Sequence, residues 1–509
     1  MSRGFLILFI SITIIAALIK GQNFCWDCLH YHYYNGWAFW HNRINYDITP
    51  TDELHSYFFP LVDALEYLGF YYLPPPLFIS LMGAISGVGI YFVFLVNKLI
   101  LKNYNIIIIL TATFIATTGI AHIMQVGSIT NENIVAVFLI AGLYYQLIYY
   151  QSERYRHLIG SGILLGLALS VKLTAITGVF GVFCSFFLLN FKIINNSRKY
   201  LILLLSFLIT FFLIDGFWLI KMYHMFHNPI YPNFNNIFSS KDSFIFNRDM
   251  IYTPKSWVMF MLLPFQLMFK TANLTDFSAI RDWHFSLAIV AIISYLILQY
   301  RNLHHLTNLK IDNVAKKQWY AILITFIASY LAWEFLFTIQ RYTIFVEYLS
   351  GVIIINIILL ATKNYSNLLR NLLLAIAVIL ASFTIKSANI GYAPLSANIK
   401  NLFNFKVTGA LVLLDSGTAY LAPMLGVDNL YINLPDYSLQ SLQHGAIKNK
   451  LLTSYLNQKK PVYLIYDNAN INNIKSQKFM INNNLQLTDC KNINAFKLSD
   501  RVICKIQPS

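Results

Sequence analysis

Apolar runs approaching 20 residues recur along most of this chain, and nothing else in it constrains the fold so tightly. An α-helix needs about 20 apolar residues to cross roughly 30 Å of hydrocarbon. Runs of that order occupy residues 5–19, 76–96, 105–124, 133–150, 201–220, 285–300, 319–337, 343–361 and 371–385. The composition agrees: 57% of residues are hydrophobic and 12% charged, against about 45–50% and about 25% in soluble chains. The formal charge of +15 comes from basic residues set singly or in pairs along the chain, not from a patch or arm. That distribution suits anionic headgroups rather than nucleic acid. The first run is followed by Lys20-Gly21-Gln22-Asn23-Phe24-Cys25-Trp26, with no small-residue cleavage site, and reads as an uncleaved helix.

Charge sets an expected orientation. With the N-terminus in the cytoplasm, the inner connections are 1–4, 97–104, 151–157, 191–200, 301–318 and 362–370. They hold 1, 2, 2, 3, 4 and 2 Lys or Arg residues, against only Glu153 and Asp312. The first outer loop, 20–75, has Lys20 and Arg43 against Asp27, Asp47, Asp52, Glu53, Asp63 and Glu66. The positive-inside rule therefore places that loop outside.

The same rule makes residues 158–190 informative, because both flanks are basic. The stretch should enter and return as two short helices with a tip at Lys172, in Gly166-Leu-Ala-Leu-Ser-Val-Lys172-Leu-Thr174. Lys172 would then face a water-filled cavity near the outer surface, where an ionisable residue is functional by default. The plainer alternative is one long tilted helix with a snorkelling lysine. These spans predict an α-helical polytopic membrane protein with about 11 membrane helices, the hairpin included.

The expected domains are a membrane domain, 1–385, with outer loops 20–75 and 221–284, and a small outer α/β domain, 386–509. Residues 257–269 are apolar but short and contain Pro264, so they should be interfacial or re-entrant. In the C-terminal part, Ala410–Leu414, Val462–Tyr466 and Arg501–Ile506 have strand character. Cys490 and Cys504 lie close in sequence there and point to a disulfide. Cys25 and Cys28 either pair or stay reduced, and Cys184 reads as membrane packing.

Unusual polar groups concentrate in the outer loops. Asp27 directly follows the first span and could take a proton from an attacking hydroxyl. Equally, it could cap the amphipathic helix that buries Tyr31, Tyr34, Trp37 and Ala38. Glu132 is either an N-terminal helix acid or a second site carboxylate. Arg341, in Gln340-Arg341-Tyr342, suits a phosphate through its planar fork, or is an interfacial anchor. His30 and His32 are two apart and do not share a helical face, so they are not read as a metal pair. Lys172 and Arg341 as cations, with Asp27 and Glu132 as carboxylates, fit a lipid-linked phosphate ester at the membrane surface.

The segments Trp26-Asp27, Tyr31-His32-Tyr33-Tyr34-Asn35-Gly36-Trp37-Ala38, Arg43, Asp47, Pro50, Asn228-Pro-Ile-Tyr-Pro-Asn-Phe-Asn235, Ile280-Arg281-Asp282 and Gln340-Arg341-Tyr342 carry a family resemblance. In this order the chain resembles the GT-C superfamily of polyprenyl-phosphate-sugar-dependent membrane glycosyltransferases, in a bacterial subgroup. It is distantly similar to the lipid A aminoarabinose transferase, whose lysine hairpin Gly162–Thr174 resembles, and to protein O-mannosyltransferase. The resemblance implies an inverting transfer of a monosaccharide from polyprenyl phosphate to a glycan, lipid or protein acceptor at the periplasmic face of the bacterial inner membrane. It implies Asp27 as base, with Tyr31, His32, Asp47, Glu132, Lys172, Arg281, Arg341 and Tyr342 binding substrate, and neither a metal nor another cofactor. The family often shows an Asp-Glu pair in the first loop; here Cys28 stands at the second position, and Glu132, Asp47 or no residue fills that role. The alternatives are a lipid or polysaccharide transporter and an inactive envelope scaffold.

Overall fold

The computed structural model describes residues 2–509 apart from 24, 49–50, 191–192, 239–250, 270–273, 277–280, 303–312, 386–391, 394, 396–405, 416, 435–441, 468–478, 482 and 494–500. Pro50, Ile280 and Asp312 therefore lie outside the described residues. The first helices are α1 (Ser2–Lys20), α2 (Tyr33–Trp40), α3 (Leu61–Tyr72), α4 (Pro75–Ile100), α5 (Ile106–Thr117) and α6 (Ile120–Gln125). They are followed by α7 (Glu132–Ser152), α8 (Tyr155–Val171), α9 (Ile176–Leu189), α10 (Ile193–Phe226) and α11 (Asn235–Phe238). Then come α12 (Trp257–Gln266), α13 (His284–Asn302), α14 (Asn313–Leu336), α15 (Ile344–Ala361) and α16 (Asn367–Ser382). The C-terminal part adds α17 (Ala422–Leu425) and α18 (Leu442–Asn457). The strands are β1 (Gln22–Asn23), β2 (Tyr392–Ala393), β3 (Leu411–Leu414), β4 (Leu430–Asn433), β5 (Val462–Asp467), β6 (Leu485–Ile493) and β7 (Arg501–Pro508).

Two compact units emerge. The first comprises Met1–Ala16, Met82–Gly216 and Arg248–Ile390; the second comprises Ala17–Leu81, Phe217–Asn247 and Gly391–Ser509. Among the described residues six helices are long and apolar enough to cross a membrane, with shorter apolar helices beside them. The chain is a mostly helical polytopic membrane protein with a small C-terminal sheet.

In the first unit, the hairpin expected over 158–190 forms. Helix α8 ends at Lys172, whose backbone is extended (φ −156°, ψ 125°), and α9 begins after one 3₁₀ turn. The ring of Tyr155, at the start of α8, lies 6.5 Å from that of Tyr149, and Gln146 donates to Ser185 at 2.8 Å near the end of α9. Both open ends of the hairpin thus return to the C-terminal half of α7. The arms take different partners. A Cβ on Gly162 or Gly166 would collide with Ser206 or Thr210 of α10, and one on Gly181 with Ser329 of α14. Small residues permit this approach where lipid supplies no hydrophobic drive between helices.

The run 105–124, expected as one span, is two helices broken at Thr118-Gly119. Glu347 of α15 explains the break. Its carboxylate accepts from Ala121 N and His122 N, both at 2.9 Å, satisfying N–H groups orphaned where α6 starts. A Cβ on Gly119 would lie 2.3 Å from Glu347 Oε2, so only glycine leaves room.

The second unit contains a five-stranded mixed sheet in the order β4-β3-β5-β7-β6. β3, β4 and β5 are parallel, while β7 runs antiparallel to β5 and β6. The parallel strands are buried apolar runs, as expected for strands covered on both faces. Cys490, at the β-bulge of β6, is bonded to Cys504 of β7, the pairing expected from their spacing. The first loop belongs to this unit: Ile48 bridges Ile432 in parallel at the edge of the sheet, and β1 pairs with β2.

Candidate active site

The first unit assembles a charged cluster from three separate elements. Glu132 is the first residue of α7, Lys172 caps the end of α8, and Arg341 lies in the 3₁₀ turn Gln340–Thr343 that leads into α15. Lys172 Nζ lies 2.7 Å from Glu132 Oε1, and Arg341 Nε lies 3.4 Å from the same oxygen. Asp276 Oδ2 is 3.9 Å from Arg341 Nε on the other side. Glu132 Oε2 is buried and has no hydrogen-bond partner among the described residues. Tyr342 presents its ring to both cations, 5.1 Å from Lys172 Nζ and 5.6 Å from the Arg341 guanidinium carbon. The cluster borders a cleft whose remaining wall is largely apolar, including Val135, Leu139, Ile344 and Phe345.

Sequence reasoning missed the support behind these groups. Asp276 Oδ1 accepts from Gln340 N at 2.6 Å, holding the turn that carries Arg341. Gln340 also accepts from Thr275 at 2.9 Å and donates to Asp282 Oδ2 at 2.7 Å. Asp282 Oδ1 binds His284 Nδ1 at 2.8 Å, and His284 Nε2 meets Ile115 O at 2.8 Å. The chain of bonds therefore runs from the Arg341 turn to the end of α5. Burial raises Asp276 from the ordinary 3.8 to about 6, against the lowering effect of Arg341 and the Gln340 N–H. Acids inside apolar runs were the available signal: Glu347 lies within the run 343–361, and Asp282 lies beside the chosen Arg281. Arg281 itself is exposed, and the network engages its neighbour.

In the second unit, Asp27 is buried at 2% exposure. It precedes the π-turn Cys28–His32, its backbone is already helical, and its side chain makes no cap hydrogen bond. The capping reading of Asp27 therefore fails, although Tyr31, Tyr34, Trp37 and Ala38 are buried as expected. Tyr31 stacks on His55 at 4.6 Å, and His32 Nδ1 lies 2.8 Å from Asp63 Oδ1. Asp47 is fully engaged. One oxygen accepts from Arg43 NH2 at 2.5 Å and Tyr431 N at 3.0 Å; the other accepts from Tyr34 at 2.6 Å and Arg43 Nε at 3.0 Å. Arg43 also donates to Val427 O and Asn429 O, fastening the first loop to β4. Among the described residues no group of three or more His, Cys, Asp or Glu is placed to hold a metal ion.

The architecture is shared with solved structures at low sequence identity. The chain superposes on ArnT from Cupriavidus metallidurans in the apo state with a TM-score of 0.58 at 12% identity, covering 99% of this chain and 98% of that one. The same protein bound to undecaprenyl phosphate gives 0.57 at 13% identity, with the same coverage. An oligosaccharyltransferase from Archaeoglobus fulgidus, tethered to an acceptor peptide, gives 0.48 at 12% identity over 91% of this chain and 69% of that one. No family model and no curated protein matches the chain significantly.

Proposed function

We propose that this protein is an inverting glycosyltransferase. It would move a monosaccharide from a polyprenyl-phosphate donor to a cell-envelope acceptor on the periplasmic face of the bacterial inner membrane. The observation that carries this reading is the pairing of Lys172 and Arg341 at the rim of an apolar cleft. A polyprenyl phosphate has the same division, an anionic head on an apolar chain. The ArnT structure that shares this fold was solved with undecaprenyl phosphate bound.

In this reading Lys172 and Arg341 hold the donor phosphate. Asp27 accepts the proton from the acceptor hydroxyl as its oxygen attacks the anomeric carbon. The bond from that carbon to the phosphate oxygen breaks, and polyprenyl phosphate leaves with its added negative charge facing the two cations. Such preorganised charge is worth most where water is excluded. Glu132 and Asp276 keep the cations placed while the site lacks a phosphate.

The test is transfer in membranes from a panel of radiolabelled polyprenyl-phosphate sugars to envelope extract, comparing wild type with Asp27→Asn. Label reaching acceptor in wild type but not in the stably expressed variant supports the transferase and its base. Equal transfer by the variant removes Asp27 from that role. Donor binding without transfer to any acceptor favours a lipid transporter instead.

A further inference from the structure

Cys25 and Cys28 lie one turn apart in the first loop, with Trp26 and Asp27 between them. Residues three apart share a helical face, and Leu29 N donating to Cys25 O at 3.2 Å shows that the turn is closed. The two Sγ atoms are 2.7 Å apart. Cys25 is partly exposed, whereas Cys28 is fully buried. The same unit holds the Cys490–Cys504 disulfide, and the first loop is paired to it through β1–β2 and the Ile48–Ile432 bridge. All four cysteines therefore face one compartment, and a structural disulfide persists only where that compartment is oxidising.

We infer that Cys25 and Cys28 form a second disulfide, a one-turn clamp on the segment that carries Trp26 and Asp27. The exposed Cys25, as thiolate, attacks the disulfide of an external thiol–disulfide oxidant and forms a mixed disulfide, releasing the first external thiol. Cys28 then gives up its proton and attacks Cys25 Sγ, displacing the second external thiol. Two protein thiols become one disulfide, and the external disulfide becomes a dithiol, so electrons and protons balance. Burial, with Cys25 and the Asp27 carboxylate beside it, holds the Cys28 thiol well above its usual range. That favours attack by Cys25 first, since the thiolate is the nucleophile.

The inference depends on no assignment of donor or acceptor and is tested without activity. Full-length protein in native membranes is denatured in light N-ethylmaleimide, then reduced and treated with the heavy reagent, and each cysteine is read by peptide mass spectrometry. Cys25 and Cys28 should carry the heavy label together with Cys490 and Cys504, while Cys184 carries the light one. In an unreduced digest Cys25 and Cys28 should be joined to each other; in Cys28→Ser, Cys25 should be found either light-labelled or as an adduct with the external thiol, with Cys490 and Cys504 unaffected. Light label on both Cys25 and Cys28 in the wild type, beside heavy label on Cys490 and Cys504, would overturn the inference. So would a wild-type unreduced digest in which Cys25 and Cys28 are each joined to other thiols rather than to each other.

Discussion

Lys172 Nζ lies 2.7 Å from Glu132 Oε1 across a sequence separation of 40 residues. Their meeting follows from how α7 and α8 pack. α7 and α8 run antiparallel, so the start of one and the end of the other share an end of the bundle. The 3₁₀ turn before α15 adds Arg341 at the same place. Two cations and two carboxylates are held together there.

Removing the lysine should affect turnover far more than folding. Lys172→Met is expected to lower the rate of sugar transfer by about 10²–10³-fold, the usual effect of losing a donor to developing charge. It leaves Glu132 buried with one partner fewer, so a stability loss of roughly 1–3 kcal/mol should accompany it. Transfer kinetics beside thermal unfolding in detergent separate the two effects.

On the proposed reading, Glu132, which lies beside both cations, would compete with phosphate for them. Glu132→Gln removes that charge while keeping the shape, and should tighten inhibition by the product, polyprenyl phosphate, several-fold. The measurement is the inhibition constant of added polyprenyl phosphate, wild type against variant.

Asp276 supplies a pH dependence. Its folded value, about 6 because of burial, lies above the ordinary 3.8. The folded protein thus binds this proton more tightly than the unfolded chain. The resulting stabilisation is complete below about pH 4 and is lost as pH rises through about 6. Over that window Asp276 also gains the charge that competes for Arg341, whereas a sugar phosphodiester keeps one negative charge. The KM for donor should therefore fall as pH drops from about 7 to about 5.5, and Asp276→Asn should flatten that profile.

The helical hairpin at Lys172 and the short C-terminal strands were legible because charge placement and short β-type runs bounded by polar residues are local signals. Glu132, Lys172 and Arg341 were each recognisable as ionisable groups at the ends of apolar runs, but no local pattern reports that they converge. Asp276 escaped notice, and Gln340 and Asp282 were noted only as neighbours of arginines, because their roles are hydrogen bonds between distant segments. The break at Thr118-Gly119 was hidden for the same reason: hydropathy is continuous there, and the cause is Glu347, far along the chain. Asp47 was read as a candidate ligand, and its contacts show it joining the first loop to the sheet.

That joint gives a stability prediction. Burial raises the Asp47 carboxyl above its ordinary range despite the bonds from Arg43 and Tyr34, and deleting it leaves Arg43 buried without its counter-charge. Asp47→Ala should destabilise the second unit by about 3–5 kcal/mol, read as faster limited proteolysis between residues 40 and 60 together with a lower unfolding temperature.

The central claim is that Lys172 and Arg341 hold a lipid phosphate, and binding tests it most directly. Native mass spectrometry in detergent would titrate undecaprenyl phosphate into wild type, Lys172→Met and Arg341→Met, with the unphosphorylated alcohol as control. The account predicts saturable binding of the phosphate by wild type, at least about tenfold weaker binding in each variant, or about 1.4 kcal/mol, and weak binding of the alcohol throughout. Equal affinity of all three folded proteins for the phosphate would contradict it.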